Sequence, residues 1–417
     1  MSPFSPSAPR PLMIRIAFAC LWLFVFSMPI EKAVEIPGLG TISKLAGVIA
    51  LGAAAVAIAL QQRFRIPSPV HLLLAIFILW SAITVRWSMA PDWTIERTVT
   101  YVQLLSLVLL VWEFCTEERH VLSLMSAYVL GTLVPAGDTV QRFLLGQQTY
   151  YNRYATTGFD PNDLALTLAI SLPMSYYLTL RYKGPICWLY RLQMLAAIGT
   201  TFLTASRGGT FCMMLGLSLI LWTIHTLPVR ARAAIVAAML VTGAAAIALV
   251  PSASWKRLGS AAQEVSQGTL NSRTVLWKAG LDEFRNKPFG GIGAGAYPEA
   301  SAKVVGRPWN FVPVAHNSFI SVLVETGIIG FAIFGAMLCL LLRSALAMSG
   351  IHRSFWLTQL AVWAVGVSSL TWEYRKPTWL LFGLLAAHLA SCQANGTVPL
   401  RVSLPSRQGF NTAEAYS

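Results

Sequence analysis

The sequence predicts an all-α polytopic membrane protein with about twelve transmembrane helices, and three observations carry that reading. Of 417 residues, 55% are hydrophobic and only 12% charged, with a mean hydropathy of +0.60, whereas soluble domains carry about 25% charged residues. The apolar residues gather into runs long enough to cross the roughly 30 Å hydrocarbon core of a bilayer. A single long polar interval, 251–315, interrupts them, carrying Trp255-Lys256-Arg257, Arg273 and a glycine-rich stretch at 290–295.

The runs fall near 12–30, 41–60, 67–85, 98–114, 121–143, 163–180, 186–205, 210–228, 233–250, 316–342, 354–372 and 378–393. The first is long for the apolar region of a signal peptide. It is followed by Glu31-Lys32-Ala33-Val34-Glu35 with no small-x-small cleavage site, so it reads as a retained span. An even number of spans puts both termini on one side. The short loops of that side hold more Lys and Arg than those opposite, which makes it cytoplasmic and leaves 251–315 outside. The chain thus divides into 1–250 with spans one to nine, the outer loop 251–315, 316–393 with the last three spans, and a cytoplasmic tail 394–417.

Composition excludes several function classes. The six cysteines (Cys20, Cys115, Cys187, Cys212, Cys339 and Cys392) lie in or beside apolar runs without CxxC spacing, which argues against a disulfide framework or a cysteine metal site. The net charge of +14 is scattered and forms no basic tract, so nucleic acid is not an expected partner. Membrane lipid head groups or an anionic, lipid-linked substrate fit better. Basic residues on the outer face oppose the orientation rule; they serve a ligand or pair with acids such as Asp92, Glu96, Asp282 and Glu283.

Within the loop, Ser272 to Asn286 has helical spacing, with Trp277, Leu281 and Phe284 on one face and Asn271 or Ser272 as N-cap. Arg273 then sits in the first turn, where a cation opposes the macrodipole unless it shares an anion with the free N–H groups. Pro288 ends the helix. The Gly290–Gly295 stretch lacks the strand and helix of a nucleotide-binding fingerprint and reads as a flexible turn.

Other candidates stand at the outer ends of spans. Arg207, in Ser206-Arg207-Gly208-Gly209, would bind an anion, and its glycines would let a ligand approach the backbone. Arg153, in Tyr150-Tyr151-Asn152-Arg153-Tyr154, would contact sugar or anchor at the interface. In Asp160-Pro161-Asn162-Asp163, Asp160 reads as an N-cap with Pro161 at N1, while Asn162 and Asp163 remain candidate substrate contacts. No DxD cluster stands on the outer side, so no metal is expected. Arg375-Lys376, flanked by Trp372 and Trp379, would contact substrate or anchor the last hairpin.

His316 is the best single candidate for a base. Of the six histidines, His71 and His388 read as packed within spans, while His120, His225 and His352 lie toward the other face. His316 stands at the mouth of a span beside the arginine-bearing loop, and imidazole accepts a proton near neutrality. Read blandly, it is a helix-start histidine capped by Asn317 or Ser318. Arg191 is the clearest charge inside a span, and such sparse buried charge argues against a transporter.

His316-Asn317 followed by Gly327-x-x-Gly330 resembles the signature of the O-antigen ligase (WaaL-type) family. Thr157-Gly158-Phe159-Asp160-Pro161-Asn162, Ser206-Arg207-Gly208 and Pro288-Phe289-Gly-Gly-Ile-Gly-Ala-Gly-Ala-Tyr297 are similar to the wider superfamily of O-antigen ligases and polymerases. The resemblance implies an inverting, metal-independent glycosyltransferase of GT-C type, without cofactor, in the bacterial inner membrane. Its active site would face the periplasm, roofed by 251–315. The donor it implies is an undecaprenyl-diphosphate-linked polysaccharide and the acceptor lipid A–core oligosaccharide. His316 would be the catalytic histidine, and Arg207 and Arg273 would bind the diphosphate, with Asp160, Asn162, Asp163, Asn317, Arg153, Arg375 and Lys376 as candidate contacts. One departure stands out: four residues after its arginine the family has leucine, where this chain has Trp277. A polymerase of the same superfamily is the nearest alternative and a transporter of a lipid-linked or anionic solute the more distant one.

Overall fold

The computed structural model describes residues 10–396 except 32, 34, 37–39, 150–152, 227, 250–251, 260–272 and 306–313. Long helices occupy every predicted run: α1 (Arg10–Ser27), α2 (Ile42–Gln61), α3 (Pro69–Ile83), α4 (Pro91–Phe114), α5 (Glu118–Leu144), α6 (Pro161–Arg181), α7 (Ile186–Leu203), α8 (Arg207–Thr223) and α9 (Val229–Leu249). Among its described residues the polar interval contains three short helices, α10 (Ser252–Gly259), α11 (Arg273–Asn286) and α12 (Tyr297–Val305). The chain closes with α13 (Ser318–Ala347), α14 (Gly350–Val367) and α15 (Lys376–Ala394). Among the described residues, 8 helices are long and apolar enough to cross a membrane. The chain is an all-α polytopic membrane protein, its β-structure among the described residues a two-stranded pairing of Glu35–Ile36 with Gly40–Thr41. α4 begins at Pro91, well before the apolar run at 98, because its first two turns carry Asp92, Glu96 and Arg97 at the polar end of the bundle.

Helix starts follow capping chemistry. The side chains of Thr41, Asp160, Ser206 and Asn317 each accept a backbone N–H of the turn they open, satisfying donors that have no partner inside the helix. α6 is the hub of the bundle, packing against α5, α7, α8 and α14. Its buried polar groups are paired across helices: Gln193 of α7 donates to Thr132 of α5 at 2.8 Å and to Ser171 of α6 at 2.6 Å. In a bilayer such groups have no water to turn to.

The largest departure from regular helix lies in α13, where Gly327 adopts φ 69° and ψ −174°. That break frees the carbonyls of Val324 and Glu325 and the N–H groups of Ile328 and Ile329, which would otherwise bond to each other. The 288–293 segment takes up all four. Ile292 N and Gly293 N donate to the oxygens of Val324 and Glu325 at 3.0 and 2.9 Å, while Ile328 N and Ile329 N donate to those of Pro288 and Phe289 at 2.8 and 3.4 Å. Close approach demands glycine on both sides. A Cβ on Gly327 would lie 2.2 Å from the Phe289 oxygen, and one on Gly291 would lie 2.5 Å from the Glu325 carbonyl. The expected flexible turn is therefore a wedge bonded into a broken helix. It is pinned from the other side by Met89 N to Ile292 O at 2.9 Å and Ala294 N to Thr84 Oγ1 at 3.1 Å.

Arg191, expected as the clearest buried charge, is exposed and lies over the Trp188 ring. Among the described residues the buried charges include Arg153, Glu325 and Glu373, with Arg97 largely buried beside the last. Arg97 Nη1 lies 3.4 Å from Glu373 Oε1, their side chains 15% and 0% exposed, and Glu325 stands within its electrostatic reach.

Candidate active site

The predicted site residues that the structure describes gather at one end of the bundle. Three connections bring them there. Asn162, in the first turn of α6, accepts from Arg153 Nη2 and from Ser206 Oγ, each at 2.8 Å. Asp163 accepts the indole N–H of Trp372 at 2.9 Å, and Trp372 N donates to Ser318 Oγ at 2.7 Å. Trp277 of α11 donates its indole N–H to the Ala315 oxygen at 2.8 Å. The first ties α6 to the residue before Arg207. The second ties α6 to the helix that follows His316. The third ties the helix bearing Arg273 to the residue before His316.

His316 is held in the left-handed region at φ 48°, a conformation uncommon for a residue with a Cβ and often found at functional positions. It precedes the cap rather than forming it. Asn317 Oδ1 accepts from Phe319 N at 3.0 Å and Ile320 N at 3.1 Å, so the amide oxygen of this candidate substrate contact is engaged in capping. Burial pushes the His316 imidazole below its ordinary 6.5; the nearby Arg273 guanidinium lowers it further, while Asp160 and Asp163 act in the opposite sense. The lowered value favours a neutral imidazole, competent to accept a proton, within electrostatic reach of a cation and two carboxylates.

Arg273 opens α11, and its predicted caps, Asn271 and Ser272, lie outside the described residues. Trp277, which stands where the family has leucine, lies one turn along the same helix face and supplies the bond to Ala315. The predicted apolar face also forms: Leu281 and Phe284 pack against the cluster of Ile292, Tyr297 and Ala315. Arg207 opens α8 behind the Ser206 cap, whose Oγ accepts from Gly209 N at 3.2 Å. The two glycines after it pack closely against neighbouring segments. A Cβ on Gly209 would lie 2.2 Å from Ala165 Cβ, and one on Gly208 would lie 3.0 Å from Ser369 Oγ.

Arg153 is 6% exposed and bonds Thr204 O at 2.7 Å as well as Asn162. Its neighbours Tyr150, Tyr151 and Asn152 lie outside the described residues. Asp160 is the expected N-cap, accepting from Asn162 N at 2.8 Å. Arg375 faces Asp163 at 3.8 Å, and Lys376 pairs with Glu31. Two acids of the loop are matched as expected, Asp282 by Arg285 at 2.7 Å and Glu283 by Lys303 at 2.8 Å.

Sequence reasoning missed the supports. Ser318 Oγ donates to Leu370 O at 3.0 Å and Ser321 Oγ to Glu373 Oε1 at 3.0 Å, strapping the 368–375 connection onto the start of α13. Glu325 accepts from Gly295 N at 2.7 Å and Tyr297 N at 3.3 Å, holding the N-terminus of α12. These pairs are remote in sequence and carry no local signal. A possible metal-ligand group, Glu118, His352 and His388, lies at the opposite end of the bundle. There the Trp356 indole donates to His388 Nδ1 at 2.9 Å, which leaves the proton of the neutral ring on Nε2 and removes that nitrogen as a ligand.

Residues 192–335 match the family profile Wzy_C, described as O-antigen ligase. Through this stretch the chain is similar to the O-antigen ligase family. The matched segment carries Arg207, Arg273, His316 and the Gly327 break. The chain is also 24% identical over 271 residues to the exopolysaccharide production protein ExoQ of Rhizobium meliloti (strain 1021), an alignment covering 61% of this chain and 60% of that relative. The chain therefore spans less than two thirds of the relative's length.

Proposed function

We propose that this protein is an inverting glycosyltransferase that moves O-antigen polysaccharide from undecaprenyl diphosphate to the lipid A–core oligosaccharide. The observation that carries the reading is a neutral, partly buried His316 near Arg273, at the end of the bundle where Arg207 opens α8. His316 takes the proton of the acceptor hydroxyl. The hydroxyl oxygen attacks the anomeric carbon, the carbon–oxygen bond to the diphosphate breaks, and the carrier departs with the electron pair. A single displacement inverts the anomeric centre. Arg207 and Arg273 offset the charge on the departing diphosphate, and because the carrier is already a good leaving group, this stabilisation together with positioning is a sufficient catalytic demand. Positioning of hydroxyl and donor supplies much of the remainder. None of these roles requires a metal.

The bias of basic residues supports cytoplasmic termini and a site on the periplasmic face of the bacterial inner membrane, with 251–315 above it. A second reading has its own support. The exopolysaccharide production relative favours a polymerase that joins two lipid-linked units by the same chemistry. The test is transfer by the purified protein from undecaprenyl-diphosphate glycan, with and without lipid A–core, in the presence of chelator. Product on lipid A–core supports the ligase; lengthened glycan on the carrier, independent of lipid A–core, replaces it with the polymerase. Abolition of turnover by chelator would overturn the metal-free mechanism.

A further inference from the structure

The 368–375 connection meets the site through Trp372, which is 3% exposed and bonded on three sides. Its backbone N–H donates to Ser318 Oγ at 2.7 Å, two residues beyond His316. Its carbonyl oxygen accepts from Arg375 N at 3.0 Å and Thr378 Oγ1 at 2.9 Å, which fixes it to the start of α15. Its indole N–H donates to Asp163 Oδ1 at 2.9 Å, in the first turn of α6. The indoles of Trp80, Trp112, Trp277 and Trp379 all donate to backbone oxygens, whereas that of Trp372 donates to a carboxylate.

That carboxylate has a second claimant. Arg375 Nη2 stands 3.8 Å from Asp163 Oδ2, beyond hydrogen-bond length, and Arg375 Nε is buried with no hydrogen bond among the described residues. A guanidinium and a carboxylate free to close on each other form a fork of two bonds. The indole bond holds Asp163 short of that pairing. Buried donors are almost always satisfied, so this arrangement gives up a bond at Arg375 to keep Asp163 where it is. Asp163 and Asp160 of α6 both lie within electrostatic reach of His316, and Arg273 of α11 opposes them there. Arg375 has Glu31 and Arg97 in its own electrostatic surroundings, and Lys376 bonds Glu31.

We infer that Trp372 is a positioning residue of the transfer reaction, its indole keeping the Asp163 carboxylate off Arg375 and available to the His316 imidazolium. The inference rests on the glycosyltransferase reading above. In that step the acceptor hydroxyl gives its proton to His316 and its oxygen forms the bond to the anomeric carbon. The electron pair of the broken bond leaves with the diphosphate. Positive charge therefore builds on His316 beside Arg273, which disfavours it. An anion already fixed in place offsets that charge without reorienting during the step. Once the indole N–H is gone, Asp163 closes on Arg375 and its pull on His316 weakens.

The test uses the full chain in lipid nanodiscs, with lipid A–core or, for the polymerase reading, a second lipid-linked unit as acceptor. Trp372→Phe keeps most of the ring and removes the N–H. It should lower kcat about tenfold or more while KM for donor and acceptor stays within about twofold, as expected of lost positioning. The acid limb of its pH–rate profile should move to lower pH, in the same direction as that of Asp163→Asn. Adding Asp163→Asn to Trp372→Phe should move neither kcat nor the limb further, because the two act as one unit. Trp379→Phe is the matched control: it loses an indole bond to the same connection, at Glu373 O, and should lower the unfolding midpoint without moving the limb. Imidazole NMR of the substrate-free protein, with the His316 signal assigned by its absence in His316→Ala, should show a lower titration midpoint in Trp372→Phe. That arm is independent of turnover. A midpoint unmoved in Trp372→Phe, an equal limb shift in Trp379→Phe, or losses that multiply in the double variant would overturn the positioning role. Full turnover by His316→Ala would instead overturn the base assignment on which the role rests.

Discussion

At the residue scale, the properties of His316 follow from its surroundings. Burial and Arg273 hold the imidazole below its ordinary 6.5, so it is unprotonated at neutral pH and transfer should be lost only as pH falls through that lowered value. Two substitutions should move this acid limb in opposite directions. Arg273→Gln removes a cation that disfavours imidazolium, so the limb should shift to higher pH; Asp163→Asn removes an anion that favours it, so the limb should shift lower. A pH–rate profile of each variant checks the signs, and limbs that do not move would detach His316 from the reaction. Replacing the proposed base, His316→Ala, should lower turnover by about 10²–10⁴-fold. Arg207→Gln should lower it by roughly 10²–10³-fold, if its share resembles that of a single oxyanion donor. Measured turnover of either variant within a few-fold of wild type would refute its role.

At the scale of elements, the break in α13 is what brings the wedge to the site. The 288–293 segment substitutes its own backbone for the missing turn of helix, so neither partner can relax without orphaning the other's polar groups. Gly327→Ala would place a Cβ 2.2 Å from the Phe289 oxygen in a residue at φ 69°, where the backbone alone costs about 1–3 kcal/mol. It should lower the thermal unfolding midpoint in detergent by several degrees and reduce turnover with it. Gly335→Ala is the control: it lies in the same helix with nothing within 4 Å of its Cβ position, and should be neutral or slightly stabilising, since alanine is the better helix former. Equal effects of the two substitutions would reject the wedge as the reason for the glycine.

For the whole molecule, the site is supported by charge buried between helices. Arg97 of α4 reaches Glu373 in the 368–375 connection and stands near Glu325 of α13. Glu373 in turn accepts from Ser321, and its backbone oxygen accepts the Trp379 indole at 2.7 Å. Through these bonds α4, α13 and α15 share one polar centre near the candidate site. Removing the cation would leave two carboxylates buried without it, so Arg97→Met should destabilise by about 3–5 kcal/mol. Glu373→Gln should cost less, because a neutral amide can still accept from Ser321. Unfolding midpoints in detergent would rank the pair, and the reverse order would show that Arg97 is not the keystone.

The sequence alone determined the all-α membrane class, the positions of the long helices and the caps at Asp160 and Asn317. Each depends on a local quantity: apolar run length, side-chain reach within one turn, or residue chemistry. It also located the glycine-rich stretch but misread it, because Gly290–Gly295 and Gly327 explain each other only when the two backbones meet. The same holds for Gly208 and Gly209, whose missing side chains make room for Ser369 and Ala165. Arg153, Arg191 and Trp372 show the limit from the other side. Whether such a residue is buried, exposed or bonded is decided by partners tens to hundreds of positions away, as with Trp372 and Asp163. In a bilayer those partners are forced, since a polar group left unmatched there has no water to satisfy it, and only the packed bundle says which groups meet.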